Sequence, residues 1–175
     1  MKKTLVYILL CLTLFSLALS CEARVYTNKY YGFSFNYPDN YEPIYNPNVV
    51  FQVQNGDSEF HVIVNDKLVS QLSGADEETV LNKIIDKFYA DAVTGAYAPF
   101  KFKIMKHYLT WTTDYKHKIA VFHYAMITPS GNMKYCALGS VLSKGRIYDI
   151  YFVDPNPPTS LIKIAEACVR SFSEI

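Results

Sequence analysis

Between Tyr30 and Tyr41 the chain alternates: Tyr31, Phe33, Phe35 and Tyr37 fall on one side of an extended backbone, and Gly32, Ser34 and Asn36 on the other. A period of two marks a strand with one face against a core. Pro38-Asp39-Asn40 stops it with turn chemistry. A hairpin follows, residues 49–54 against 59–64 across Asn55-Gly56-Asp57-Ser58, with Val49, Phe51, Val53, Phe60, Val62 and Val64 on a shared face. The period then changes to that of a helix. Asp76, Glu77 and Glu78 suit a positive N-terminus, Val80, Leu81, Ile84, Ile85, Phe88 and Ala92 form one stripe, and Gly95 ends it.

Residues 102–113, 116–128, 133–143 and 146–153 read as four strands joined tightly. Pairing Met126 with Tyr135 and Leu142 with Ile147 sorts their side chains into two faces. Phe122, Tyr124, Ala137, Gly139, Val141, Tyr148, Ile150 and Phe152 fall on one. Val121, His123, Cys136, Leu138, Ser140, Ile147, Asp149 and Tyr151 fall on the other. Both faces are largely apolar, so both need a cover. A second helix follows Pro157-Pro158, with Leu161, Ile164, Ala165, Cys168 and Phe172 at helical spacing. Ala137 and Gly139 offer a shallow place for a helix to approach. The order strands, helix, strands, helix predicts an α+β domain: a mostly antiparallel sheet of about six to seven strands with helices covering both faces.

The ends of the chain change this picture. Lys2 and Lys3 precede an uncharged apolar run from Leu5 to Leu19, of signal-peptide length. Ala18 and Ser20 stand at −3 and −1 to a cut before Cys21. Ala18-Leu19-Ser20-Cys21 resembles a bacterial lipobox, with Ala18 where leucine is usual; the resemblance implies that Cys21 becomes a lipidated N-terminus. Ordinary cleavage before Cys21 or after Ala23, giving a secreted or periplasmic soluble protein, is the alternative. Residues 1–20 are thus read as leader, 21–29 as a polar tether and 30–175 as one domain. The expected location is the cell envelope, with membrane attachment through the lipid. The 17 basic and 16 acidic residues give a net +1, which loss of Lys2 and Lys3 turns to a formal −1. No block of like charge is present to neutralise phosphates, which argues against nucleic-acid binding.

Without Cys11, which leaves with the leader, three cysteines remain, an odd number in an oxidising compartment. Acylation of Cys21 leaves Cys136 and Cys168 as one possible disulfide, provided the last helix covers the Cys136 face.

The strand Tyr31 to Pro38, aromatic and polar in alternation and ending in Tyr-Pro, resembles the opening of the PsbP-like family. Tyr41 stands where that family usually has tryptophan, and the close Val169-Arg170-Ser171-Phe172 is similar to its C-terminal helix. The resemblance covers about residues 30–172 and implies an α/β/α sandwich. It implies no activity, since fold does not fix function.

Three groups of residues could carry chemistry. Ser140, His123 and Asp149 share a face in the pairing above, a constellation a hydrolase could use, although no glycine-rich turn or helix start stands beside Ser140 to form an oxyanion hole. His107 and His123 approach one another only in one register, and no metal-ligand motif or cofactor fingerprint is present. Tyr41 and Tyr45 lie on the proline-rich loop 38–48, a composition suited to a partner surface. The functional expectation is a non-enzymatic envelope protein that contacts a protein partner through Tyr41 and Tyr45. A small-molecule-binding module comes second and a hydrolase last.

Overall fold

The computed structural model describes residues 23–65, 74–112, 114–155 and 159–175, with side chains in the last segment from 163 onward. Cys21 and the leader lie outside the described residues. The first strand, β1 (Ala23–Asn28), occupies most of the stretch read as a tether. It pairs antiparallel with β2 (Phe33–Pro38), Tyr26 opposite Phe35. The polar composition of β1 hid it: Arg24 and Thr27 are exposed, while Tyr26 alone brings a ring, packing against Phe33, Phe35 and Phe51. The short C-terminal β10 (Ser173–Glu174) pairs on the other side of β2, completing a three-stranded sheet separate from the main one.

The main sheet has seven strands. In chain order they are β3 (Glu42–Pro43), β4 (Phe51–Asn55), β5 (Ser58–Asn65), β6 (Lys101–Trp111), β7 (Lys118–Ile127), β8 (Met133–Ser143) and β9 (Arg146–Asp154). Their spatial order is β3-β4-β5-β9-β8-β7-β6, with every pairing antiparallel. The β4–β5 hairpin has the expected parity, Phe51 opposite Val62, and β8–β9 pairs Leu142 with Ile147 as expected.

One register differs from the sequence reading. Met126 pairs with Lys134 rather than Tyr135, and Tyr124 pairs with Cys136. Thr128 is drawn into the turn: its backbone N–H donates to the Asn132 carbonyl and its hydroxyl accepts from the Asn132 N–H. Ile127 therefore pairs with Met133 across five residues instead of four. A slip of one residue moves every side chain of a strand to the other face. Ile119 and Val121 accordingly join Ala137, Val141, Tyr148, Ile150 and Phe152. Phe122 and Tyr124 join Cys136, Leu138 and Val153.

Among the described residues two helices are present, and they belong to different clusters. The long helix, α1 (Glu77–Thr94), starts at Asp76, whose carboxylate accepts from the Thr79 N–H at 2.9 Å. It ends at Gly95, where φ is 74°, a left-handed conformation that a side chain would oppose. Leu81 and Ile85 pack with Phe122, Tyr124 and Leu138. The second helix, α2 (Thr159–Arg170), brings Ala165, Cys168 and Val169 to the other cluster, together with Phe172 beyond its end. Phe33, Phe35 and Tyr37 of the small sheet complete that cluster. At Gly139 the helix comes so close that a Cβ would lie 2.3 Å from Val169 Cγ1.

The same slip and topology decide the cysteines. Cys136 packs with the α1 cluster and Cys168 with the α2 cluster, both buried, and no disulfide joins them. The expected bridge depended on α2 covering the Cys136 face, and α2 packs with Ala137 and Val141 instead.

Candidate functional site

The loop after β2 does not present two tyrosines. Tyr41 is 4% exposed and packs on Phe152 with ring centroids 5.8 Å apart, whereas Tyr45 is 92% exposed. Glu42 and Pro43 pair with Gln54 and Val53 at the edge of the main sheet, so the chain is tied down just after Tyr41 and its ring is turned into the core.

The proposed catalytic trio is also divided. Ser140 lies directly opposite Asp149, and its hydroxyl donates to Asp149 Oδ1 at 2.5 Å. His123 pairs with Ala137 and sits on the opposite face, its Nε2 3.3 Å from Glu166 Oε1 of α2. That approach is not an aligned hydrogen bond, and both His123 ring nitrogens are buried without one. Burial holds the imidazole below its ordinary range, and Glu166 partly offsets this. Tyr108 donates to the same Glu166 oxygen. A base separated from the serine by the sheet cannot take its proton. His107 is likewise separated from His123: it pairs with Phe122 and meets the Tyr89 ring edge-on at 5.1 Å. Among the described residues no three His, Cys, Asp or Glu side chains are grouped to hold a metal ion.

What the fold does assemble is a cleft between α1 and the sheet, about 200 Å³ in volume. Its apolar walls come from Ile84 and Phe88 of α1, Leu138 of β8 and Tyr151 of β9, with Tyr97 from the turn after α1. Ser140 and Asp149 form a polar floor, and Lys83, Lys87 and Asp91 stand on the helix side. Asp149 lies deep in the protein but keeps part of its surface open to the cleft. Burial pushes its carboxyl up to about 6, and the Ser140 hydroxyl draws it the other way; among the described residues no side-chain cation contributes. Burial and then the Asp149 charge push the Tyr151 hydroxyl up; burial and then Asp91, with Asp149 the smallest contributor, push up that of Tyr97. On the helix, Lys87 Nζ is 2.7 Å from Asp91 Oδ2, holding that carboxyl below its ordinary range. Tyr97 donates to the same oxygen at 3.3 Å.

Sequence reasoning found Ser140 and Asp149 but grouped them with His123, which lies on the opposite face. It did not single out Lys83, Lys87, Asp91 or Tyr97. A signal was present: Asp149 is a carboxylate in the otherwise apolar run Ile147–Val153, where a charge needs a local reason.

This geometry can be set beside known proteins. No protein-family model matches the sequence, and no curated protein matches it. The solution structure of cyanobacterial PsbP (CyanoP) from Synechocystis is similar, with a TM-score of 0.60 over 91% of this chain and 96% of that one, at 12% identity. The fold is PsbP-like. A crystal structure from Bacteroides thetaiotaomicron has a TM-score of 0.52 at 13% identity; the match covers 88% of this chain and 49% of that one, about half its length. Likeness at these identities concerns the fold, and function has to be argued from the site. Among the described residues no helix is long and apolar enough to cross a membrane.

Proposed function

We propose that the chain is a PsbP-like α/β/α lipoprotein of the cell envelope, helices on both faces of its sheet, anchored through Cys21, and that it acts by binding rather than catalysis. Its ligand is a small molecule held in the cleft between α1 and the sheet. The observation that carries this reading is the convergence of Ser140, Asp149 and Tyr97 on one space walled by Phe88, Leu138 and Tyr151. Small-molecule sites commonly combine apolar walls with a few placed polar groups. The separation of His123 from Ser140 removes the arrangement that argued for a hydrolase.

The test is chemical-shift mapping of the isotope-labelled protein against a library of small polar molecules. Hits are expected to move Ile84, Phe88, Tyr97 and Leu138 together. Binding scattered over the surface contradicts the reading. A second reading, contact with a protein partner, draws support from Tyr45 alone, whose ring is almost fully exposed on a proline-flanked loop. On that reading, replacing Tyr45 with serine abolishes partner capture from membranes.

A further inference from the structure

Resting on the cleft as a ligand site, we propose that it takes a small zwitterion of amino-acid type, with the protonated amine at Asp149 and the anionic end at Lys83. The floor supplies the first half of the argument. Asp149 accepts one hydrogen bond from Ser140, which leaves carboxylate lone pairs for another donor. A carboxylate enclosed by protein without a cation is costly, and an ammonium group both pairs its charge and fills its remaining acceptor sites. The rings of Phe88, Tyr97 and Tyr151 line the same space, and aromatic faces attract an ammonium group as well.

The helix side supplies the second half. Lys83 and Lys87 are four residues apart and share a face of α1. Lys87 is neutralised by Asp91 at 2.7 Å. Lys83 has no ion-pair partner among the described residues, and its ammonium group is available to a carboxylate. A site with one deep negative charge and one positive charge at its edge suits a ligand of no net charge with separated ends. The volume, about 200 Å³, lies below the range usual for drug-sized ligands, so the ligand is small.

The experiment titrates the labelled full chain in detergent with alanine and 4-aminobutyrate as zwitterions, propylamine as a plain amine and propionate as a plain acid. A zwitterion is expected to shift the Ser140, Asp149 and Tyr97 signals. Asp149→Asn, nearly isosteric, should weaken that binding at least tenfold, and Lys83→Ala should weaken it severalfold without weakening propylamine. Should Asp149→Asn not fold, the exposed Lys83→Ala decides the matter. Cleft shifts caused by propionate but by neither zwitterion overturn the ligand class and leave the cleft as a binding site. No cleft shift from any probe overturns both.

Discussion

At Gly139 the absence of a side chain lets α2 lie against the sheet, with Val169 filling the space a Cβ would take. Gly139→Ala forces the helix or Val169 to move, and overpacking of this kind costs about 1–3 kcal/mol. For a domain of this size the melting temperature should fall by roughly 2–12 °C. The double variant Gly139→Ala, Val169→Ala should lose less than the two single changes sum to, because the clash and the cavity offset one another. Equal additive losses would show that the two residues do not meet. At Asp149 the effect is electrostatic. Its folded midpoint of about 6 lies above the ordinary ~3.9, so its contribution to stability is complete below about 4 and is lost as pH rises through 6. Two units correspond to about 2–3 kcal/mol. Denaturation followed from pH 4 to 7 should show this slope, and Asp149→Asn should flatten it. An unchanged slope in the variant assigns the effect to other groups.

Elements that carry their own periodicity were legible. The α1 stripe, its Asp76 start and Gly95 end, the β4–β5 hairpin and the β8–β9 turn all appear where local pattern places them. The β7–β8 register was not, because both faces are apolar and a one-residue slip leaves the pattern equally satisfied. That slip decides which face His123 occupies. β1 escaped for another reason: its polar sequence forms a strand only because β2 offers it an edge. The loop after β2 makes the same point, since pairing of two residues with β4 buries Tyr41 and leaves Tyr45 outside. Tyr41→Ser should therefore cost on the order of 3 kcal/mol, as large-to-small core changes do, and Tyr45→Ser less than about 0.5 kcal/mol. Chemical denaturation of the two variants checks this; similar losses would mean the loop is not divided in this way.

For the whole molecule, the α+β class, a mostly antiparallel sheet and its PsbP-like character were legible from element order and the Tyr31–Pro38 strand, but that strand was counted in the main sheet, whose seventh member is instead β3 from the loop 38–48. The separate three-stranded sheet was not, since β1 and β10 meet β2 only in three dimensions. The cleft was half legible: its floor lies in a strand pattern, but its rim depends on where α1 comes to rest on the sheet. Anchoring belongs to this scale too. On the proposed anchoring, Cys21→Ala should move the protein from the membrane to the soluble fraction, because loss of the lipid removes its durable attachment. A wild-type protein already soluble, with an unmodified N-terminus, contradicts it. On the proposed reading Asp149 is a largely buried carboxylate, open only to the cleft, that is kept for a ligand. It is faced by Ser140, Tyr97 and Tyr151, with Lys83, Lys87 and Asp91 on the helix and His61 stacked on Tyr151 at 4.8 Å. The direct measurement is carbon-13 NMR titration of the Asp149 carboxyl, with and without alanine. The expected midpoint is about 6 and falls when the zwitterion binds; a midpoint near 4 that alanine leaves unmoved would overturn this role for Asp149.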